Sequence, residues 1–581
     1  MKRILLCIGF QLALAASLAA DSNLRIVDVG LNGYSGATSA VRLVVHNPSS
    51  QPQPIDLRIA AGSKYGFTNT VEIEIRLSGD EQRELELPIL SPPGTTEITA
   101  EARAAGAVFG HDTYEKVLYK PYLIALMCAS EDVCKTAQSQ IQFSGTIEDR
   151  VDKNRQIAFE VVRDPRDHWW AYSAASAVVL AAPMAEFTFA QREALEGFVR
   201  RGGRLIVIEK EIADSSFLSA YREGAAPRSG ERVGKGTLIR VSELGATNEF
   251  GDVFAGANLR AFLGQFRPYE MNGGNSNQTG WLFRFATAFN FPRLRWVLIW
   301  LLAYIVVIGA VNFAVLRRLH RLEFGWISMS ALSLLFAAGF YFSSASQRPK
   351  GFHLDNLATY YLDGRSPLAA ADYNLRVSAP ERKDVTVSIA DPAVFTYFTP
   401  TRQEPNSQIW SEMSRQGAQV PREFDFSLGP PSQTELSLLK WSFRDLNMEG
   451  LHEFSGTVHL VGPNRLRNDT GQQFSEAIYL DRSANALYAL PALAAGQEIQ
   501  LDTITPTKIR APDRINPAFV DGNYDYRSLT LRELAVMGAW GFALQGRMFA
   551  GFSDGPALPV ELNVPHQENV HSLIVVSMGQ P

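Results

Sequence analysis

The amino-acid sequence predicts a multidomain membrane protein: a β-sandwich, an α/β doubly wound domain, a hairpin of two membrane helices and a β-rich region. Three observations support this order. The chain has 581 residues, which corresponds to about four domains of roughly 150 residues. Two uncharged apolar runs lie past the midpoint. The hydrophobic pattern before these runs changes from alternating to continuous near residue 121, as it does when half-buried strands give way to fully buried ones.

The composition excludes two broad classes of protein. Hydrophobic residues make up 46% of the chain and aromatic residues 10%, which is too apolar for a disordered chain. Lys and Arg number 55 against 60 Asp and Glu, so the net charge is -5. Because nucleic-acid binders carry a basic excess or a basic patch, we expect no nucleic-acid partner.

Residues 1–20 have the pattern of a secretory signal peptide. Lys2 and Arg3 provide the positive start, an apolar stretch follows, and small residues at 16–20 suit cleavage. A first membrane helix is the alternative interpretation. The stretch is short for a membrane span, and Asp21 follows it at once, so the signal peptide is favoured.

Residues 294–316 and 324–345 are predicted to be transmembrane helices, with the turn 317–323 between them. At ~1.5 Å per residue each is long enough to cross a hydrocarbon core of about 30 Å. A buried core helix is the alternative for each. Asn312 is polar at membrane depth, which indicates either a functional position or a hydrogen bond to the partner helix.

The turn is basic, with Arg317, Arg318, His320 and Arg321 against Glu323. Such a charge bias favours the cytoplasmic side of the membrane. The outer flanks are basic as well, so charge alone decides weakly, and the signal peptide decides the orientation. An exported N-terminal half and two spans place both large regions in the periplasm, on the bacterial inner membrane, with membrane lipid as a partner.

Residues 21–118 are predicted to form an immunoglobulin-like β-sandwich. Short stretches of alternating polarity, such as residues 71–75, are separated by turn signals such as Asn47-Pro48 and Ser78-Gly79. Several short strands at this spacing in about a hundred residues are typical of that fold.

Residues 119–255 alternate between strand and helix patterns. Strands are predicted at 122–127, 157–162, 177–181, 205–208 and 237–241. An amphipathic helix is predicted from Phe189 to Arg201, with Phe189, Leu195, Phe198 and Val199 toward one side, and Gly202-Gly203 ends it. This alternation predicts a doubly wound parallel sheet.

A juxtamembrane linker is predicted at 256–293, where the glycine-rich stretch 272–277 forms a flexible loop. Residues 350–581 are β-rich again, and we expect one or two β-sandwich modules there. Strands are predicted at 385–389, 435–439, 457–460, 477–480, 560–564 and 573–578. A helix is predicted to begin near Thr530, where Glu533 completes a capping box.

The stretch 178–180 and the helix leading into 205–208 resemble the class I glutamine amidotransferase-like fold. Enzymes of that family carry a catalytic Cys in a strand-to-helix elbow, with a His and a Glu downstream. Here Glu209 and Lys210 follow the strand, no Cys occurs after Cys134, and His168 precedes the strand. The resemblance therefore implies a degenerate domain with no catalytic residues, in which Glu209 and Lys210 line a possible pocket.

The membrane hairpin resembles a second, larger grouping. Residues 304–313, 316–319 and 321–326, together with 468–471 and 490–501, are similar to uncharacterised bacterial membrane proteins with two spans, although Ala310 stands where those proteins often have Pro. They join an exported amidotransferase-like domain to such a hairpin. The resemblance covers most of the chain after Pro121. Genes of this group often neighbour those of MoxR-type ATPases and von Willebrand factor A-domain proteins, which implies envelope protein partners.

Cys128 and Cys134 flank the first predicted strand-to-helix turn of the α/β region. In an exported domain the favoured interpretation is a disulfide. Two free buried thiols are the second interpretation, and a nucleophilic Cys128 is the third.

Other polar groupings do not meet the requirements of a site. Asp164, Asp167 and His168 are best explained as a solvated loop. The stretch from Asp521 to Arg532 lacks the Gly and Glu of a calcium loop. The glycines at 230–236 are too closely spaced for a phosphate loop. We therefore expect no metal site and no cofactor.

The leading functional hypothesis is a non-enzymatic, membrane-anchored envelope protein that acts as a scaffold or interaction module. A ligand-binding sensor that uses the α/β pocket is the alternative, and an amidotransferase-like hydrolase is the third.

Overall fold

The computed structural model of the chain describes the greater part of its β-rich and α/β regions and both apolar helices. The described residues are 23–34, 38–63, 68–91, 95–118, 123–141, 158–212, 230–244, 294–345, 350–390, 395–397, 423–428, 432–440, 442–481, 483–508 and 547–578. The predicted signal peptide, the linker 256–293, the stretch 521–532 and the predicted helix near Thr530 lie outside them.

The N-terminal strands pack as two antiparallel layers. One layer is a three-stranded sheet of order β1-β2-β5: β1 (Leu24–Val29), β2 (Thr38–His46) and β5 (Gln82–Leu90). The facing layer contains β3 (Gln53–Ser63), β4 (Thr68–Leu77), β6 (Thr95–Ala104) and β7 (Ala107–Tyr114). Along β4, Val71 and Ile75 are buried while Glu72 is exposed, because successive side chains of a strand point to opposite faces.

The second N-terminal layer does not end at the N-terminal region. It continues into an eight-stranded sheet of order β28-β16-β19-β18-β4-β3-β6-β7. The added strands are β16 (Lys383–Ile389), β18 (Glu423–Leu428), β19 (Ser432–Leu438) and β28 (Val560–Leu562). β18 runs parallel to β4, from Glu423 opposite Thr68 to Leu428 opposite Ile73. The sequence suggests separate β modules before and after the membrane hairpin, whereas the structure joins them in one sheet.

The α/β region forms a six-stranded sheet of order β12-β13-β11-β10-β8-β9. Its elements are β8 (Leu123–Cys128), α1 (Glu131–Ile141), β9 (Ala158–Val161), β10 (Ala177–Ala181), α2 (Phe189–Arg200), β11 (Arg204–Ile208), α3 (Glu209–Ile212), β12 (Glu231–Val233) and β13 (Gly236–Val241). All neighbouring strands pair in parallel except β12 with β13. The central strands β8, β10 and β11 are buried on both faces, which explains their continuous apolar sequences.

Helix α2 has defined signals at both ends. Thr188 and Gln191 form a capping box at its start. At its end Gly203 N–H donates to the Phe198 carbonyl and Gly202 N–H to the Val199 carbonyl, the pattern of a Schellman motif. The φ of +119° at Gly202 explains why glycine ends the helix there.

The apolar side of α2 is buried except at its first residue. Leu195, Phe198 and Val199 are buried, but Phe189 is 76% exposed. Phe189 lies in the first turn of the helix, where its neighbours Thr188 and Ala190 are exposed as well, so this turn lies at the surface.

The C-terminal region is built on a nine-stranded sheet of order β17-β20-β15-β14-β29-β27-β23-β24-β26. Its strands are β14 (Phe352–Asp363), β15 (Ser366–Ala379), β17 (Phe395–Tyr397), β20 (Ser442–Glu453), β23 (Glu476–Asp481), β24 (Ala486–Leu490), β26 (Thr507–Lys508), β27 (Arg547–Ser553) and β29 (His566–Ser577). A small sheet of β21 (Val458–Leu460), β22 (Arg465–Asn468) and β25 (Glu498–Gln500) adjoins it. The expectation of a β-rich region is confirmed. β14 and β29 pair in parallel along their whole length, from Phe352 opposite His566 to Asp363 opposite Ser577.

Two helical segments, Leu298–Arg318 and Leu322–Phe342, are long and apolar enough to cross a membrane. Each has 21 residues, and their mean hydropathies are 2.4 and 1.5. Only 6% of the apolar window of the first segment is buried and none of the second, which argues against core helices of a soluble domain. The first consists of α4 (Leu294–Val306), a π-helical turn (Val307–Val311) and α5 (Asn312–Arg318), and the second is α6 (Gly325–Ala345).

Candidate functional site

The carboxyl edge of the parallel sheet is where an open α/β domain normally binds a ligand, at the point where the strand order reverses. In this chain that point lies between β8 and β10, because the chain continues from β8 to β9 at one side and from β10 to β11 at the other. The structure joins Cys128, the last residue of β8, to Cys134 of α1 in a disulfide, with their Cα atoms 5.5 Å apart. The adjacent Ala129 N–H donates to the Ala181 carbonyl at 2.9 Å. A main-chain bond therefore crosses the crevice, beside the disulfide that joins β8 to α1.

The first turn of α1 carries Glu131 and Asp132. Negative side chains at the start of a helix interact favourably with the helix dipole, but they repel an anionic ligand that would bind there. This end of β8 is consequently a poor phosphate or carboxylate site.

Glu209 and Lys210, the predicted pocket residues, follow β11 on the single-turn helix α3 and are exposed. Glu209 lies 3.6 Å from the Arg240 guanidinium, and Lys210 Nζ donates to Glu243 at 2.8 Å. Both charges thus form ion pairs with residues at the end of β13, and they do not converge on one another.

Asp164, Asp167 and His168 do not come together as metal ligands. Asp164 pairs with Arg42 of β2, and the His168 ring stacks on Trp170 with centroids 4.7 Å apart. Burial lowers the pKa of His168, although Asp167 raises it. Throughout the described ranges, no group of three or more His, Cys, Asp or Glu side chains has the arrangement of a metal site.

A polar cleft of about 600 Å³ lies between the N-terminal strands and β9. The N-terminal side provides Asp28, Asn32, Arg42 and Tyr114, and the α/β side provides residues 160–164 and Arg166. Hydrogen bonds cross it, because Asn32 donates to Glu160 and Arg42 to Asp164. The local sequence pattern does not indicate this cleft, since its walls combine residues as far apart in the chain as Asp28 and Arg166.

Arg166 forms the base of this cleft, with a side chain that is 5% exposed. Its Nη2 donates to Asp28 and to the Gly30 carbonyl, and Nη1 lies 3.7 Å from Glu86. Nε and Nη1 make no hydrogen bond within the described part of the chain. Burial raises the pKa of Glu86 to about 7, and the nearby Arg166 offsets only part of this shift. The pair therefore sits in a partly desolvated space with unfilled hydrogen-bonding capacity.

A second interface joins the end of α2 to the C-terminal sheet through what we call the ionic cluster. Its members are charged side chains of α2, the β12–β13 turn and strands β14, β15 and β20: Glu196, Arg200, Arg201, Lys235, Asp363, Asp372 and Glu449. Arg200 is 1% exposed and donates to Asp363 at 2.9 Å and to the Leu368 carbonyl at 2.9 Å.

Arg201 lies beside Arg200 and binds two carboxylates of the C-terminal sheet, Asp372 at 2.7 Å and Glu449. Burial alone lowers the pKa of Arg201, but Glu449 and Asp372 more than offset it, so the pKa is raised overall. Burial raises the pKa of Asp372, but Lys235 and Arg201 lower it by more. The pKa is therefore lowered overall, and the carboxylate stays ionised. The cluster is a docking interface, because its buried charges neutralise one another.

In the hairpin of apolar helices, Asn312 is a buried polar residue, at 8% exposure. It follows the π-helical turn Val307–Val311, a distortion that often marks functional positions in helices. Nearer the other end, the Tyr304 and Ser333 hydroxyls lie 3.3 Å apart, and a Cβ on Gly339 would lie 3.4 Å from Trp300. The small residue Gly339 on α6 thus allows the helices to approach.

Comparisons with known proteins do not identify a family. No protein-family model matches the chain, and no curated protein matches it. Among solved structures, the yeast delta-COP-I mu-homology domain is 6% identical over 40% of this chain and 98% of its own, with a TM-score of 0.19. Pseudomonas fluorescens alkylpurine DNA glycosylase AlkC is 13% identical over 16% of this chain, and Bacteroides uniformis beta-glucuronidase is 11% identical over 32%; both have TM-scores of 0.13. The chain spans 31% and 22% of their lengths, and likenesses this weak carry no argument.

Proposed function

We propose that the protein is a membrane-anchored envelope protein that acts as a scaffold or interaction module without chemistry of its own. The observation that carries this proposal is that the region before the helical hairpin and the region after it are joined in one sheet. Strand β18 continues the N-terminal sheet beside β4, and Arg200 and Arg201 anchor the α/β domain to the C-terminal sheet. A broad β-rich body on a short hairpin suits a role in holding partners at a membrane surface.

The same union supports the proposed topology. The hairpin at 294–345 separates the two regions in sequence, yet they share one sheet. Two regions that share main-chain hydrogen bonds must lie on the same side of a membrane, which requires an even number of spans between them. With the signal peptide at 1–20, that side is the periplasm of a bacterium and the anchor lies in the inner membrane.

The α/β domain fits a degenerate amidotransferase-like domain. Its parallel strands alternate with helices, and the residues at the positions where such a domain would react make other contacts. Cys128 is in a disulfide, and Glu209 and Lys210 form ion pairs with Arg240 and Glu243. An acyl-transfer nucleophile needs a free thiol or hydroxyl beside an oriented base, which none of these residues provides.

The resemblance of the hairpin to two-span proteins encoded beside MoxR-type ATPases suggests the class of partner. We propose envelope proteins of such an assembly system, including von Willebrand factor A-domain proteins. The alternative function is a ligand-binding sensor, for which the cleft at Arg166 rather than the Glu209 region offers the space. An amidotransferase-like hydrolase is the third candidate.

Affinity purification of the detergent-solubilised protein from its native membrane tests the scaffold proposal. We expect specific envelope proteins to co-purify in stoichiometric amounts. Glu209→Ala and the double variant Cys128→Ser/Cys134→Ser should retain them, since neither change touches the ionic cluster.

Glutaminase and esterase assays on the same preparation separate the alternatives. Turnover that Cys128→Ser abolishes while the fold is retained would establish the hydrolase and overturn the scaffold proposal. A stoichiometric small molecule released on denaturation, with no protein partner, would favour the sensor.

A further inference from the structure

We propose that an extended peptide segment of a partner protein binds in the cleft between the N-terminal strands and β9, where it adds a strand to the outer edge of β9. This inference deepens the scaffold role proposed above and rests on it. Three independent features of the cleft support it: an available strand edge, buried donors with unfilled capacity, and a neutral lining.

The strand edge is the first feature. β9 is the last strand of its sheet and pairs with β8 alone among the described residues. Val162 N–H donates to the Leu126 carbonyl. In a parallel ladder, main-chain groups of successive residues point alternately toward and away from the neighbouring strand. The main-chain groups of Phe159 and Val161 therefore point away from β8. Val161 also lines the cleft. An extended peptide binds such an edge through main-chain hydrogen bonds.

The buried donors are the second feature. Arg166 lines the cleft with a side chain that is 5% exposed, and its Nε and Nη1 have no hydrogen-bond acceptor in the described structure. Glu86 Oε1 also lacks a hydrogen bond, because the 3.7 Å gap to Arg166 is too long for one. A buried donor without an acceptor costs free energy. Peptide carbonyls that enter the cleft would accept hydrogen bonds from Nε and Nη1 of Arg166, while Nη2 keeps its hydrogen bond to Asp28.

The charge of the lining is the third feature, and it selects the class of ligand. The charged side chains of the cleft are three arginines and three carboxylates: Arg42, Arg163, Arg166, Asp28, Glu160 and Asp164. A site for phosphate or another anion would carry a cationic excess. Balanced donors and acceptors instead suit a neutral polymer, either a peptide main chain or a glycan. The edge of β9, which is unpaired among the described residues, favours the peptide, because a glycan has no peptide main chain that could extend a β-sheet.

The test uses the purified full-length protein and a fluorescein-labelled probe, an acetylated hexapeptide of alternating Thr and Val with one C-terminal Lys for solubility. Binding is measured by fluorescence anisotropy. The matched probe has the same sequence but is N-methylated at alternate residues, so it cannot donate along one edge. We expect the N-methylated probe to bind about tenfold more weakly, or worse, since it loses several main-chain hydrogen bonds.

Val161→Pro removes the amide that faces the cleft while sparing the bonds of β9 to β8, and proline is tolerated on edge strands. We expect probe affinity to fall about tenfold. Val560→Pro is the matched control. Val560 lies on the edge strand β28, and the neighbouring bond from Ala390 N–H to the Pro559 carbonyl directs its amide outward as well. This control should leave probe binding unchanged.

Hydrogen exchange on the wild-type protein gives a readout that does not depend on a variant folding. Addition of the probe should slow exchange at Phe159 and Val161. The inference is overturned if the wild-type protein does not bind the probe at millimolar concentration, if the N-methylated probe binds equally well, or if maltoheptaose binds in its place. If partners co-purify from membranes while the probe fails, the scaffold proposal stands and only the peptide cleft is refuted.

Discussion

Arg201, at the end of helix α2, donates a hydrogen bond from Nη1 to Asp372 Oδ1 of strand β15 at 2.7 Å, across 171 positions of sequence that contain both apolar helices. The Arg201 guanidinium also lies 5.3 Å from the centre of the Trp169 ring. The segments before and after the two apolar helices are thus held together at the end of α2.

The ionic cluster should contribute most of the stability of the contact between α2 and the C-terminal sheet. Arg201→Met removes a cation from the half-buried Glu449 and one of two cations from Asp372, so we expect a loss of about 3 kcal/mol in the free energy of unfolding. Denaturant unfolding and protease protection of the detergent-solubilised protein measure it. Arg83→Met is the control, because the Arg83–Glu81 pair is largely exposed and should be worth less than about 1 kcal/mol. Equal effects would refute a docking role.

Glu86 should make stability depend on pH between about 4.5 and 7. The pKa of this carboxyl is raised to about 7 in the folded protein from its ordinary value of 4.5. A raised pKa means that the folded state holds the proton more tightly, so the contribution is complete below about pH 4.5 and is lost as pH rises through 7. We expect this loss to be about 3 kcal/mol in all.

Thermal unfolding of the wild type and of Glu86→Gln, recorded from pH 5 to pH 8, measures this effect. The amide mimics the protonated carboxyl, so the variant should be more stable than the wild type at pH 8 and should match it near pH 5. Glu84→Gln, a neighbour on β5 with a half-exposed side chain that binds Arg42, serves as the control. If the stability of the wild type and of Glu86→Gln changes with pH in parallel, Glu86 does not titrate as proposed.

The topology has a direct experimental readout. Reporter fusions after Pro581 and within residues 317–323 should report the periplasm and the cytoplasm respectively. Because β4 and β18 share main-chain hydrogen bonds, a fusion placed in an exposed turn of the N-terminal region must agree with the one after Pro581. A cytoplasmic signal after Pro581 would contradict the two-span arrangement.

The disulfide predicts that neither thiol reacts in the native envelope. Mass spectrometry of protein alkylated without reduction should find Cys128 and Cys134 unmodified, and both should be labelled after reduction under denaturing conditions. The double variant Cys128→Ala/Cys134→Ala should lose about 2 kcal/mol of stability, since the bridge closes a short loop. Full labelling of both cysteines in unreduced native protein would exclude the bridge.

Local sequence determined most elements and the membrane hairpin. The alternation at 71–75, the apolar runs of β8, β10 and β11, and Gly202-Gly203 after α2 each encode their structure through neighbours on the chain, so the pattern alone predicts them. The spacing of Cys128 and Cys134 likewise favours a bridge, because both lie at one strand-to-helix turn. Phe189 is the exception: it lies on the apolar side of α2, but the first turn of that helix is exposed.

Tertiary structure alone decided how these elements combine. The pairing of β4 with β18, the meeting of Arg201 with Asp372 and the cleft at Arg166 each join segments separated by more than 100 residues. Nothing in the local pattern of a strand specifies which distant edge it will pair with, and an arginine that ends an amphipathic helix looks like an ordinary solvated charge. Its burial depends on carboxylates that only the folded chain brings within hydrogen-bond distance.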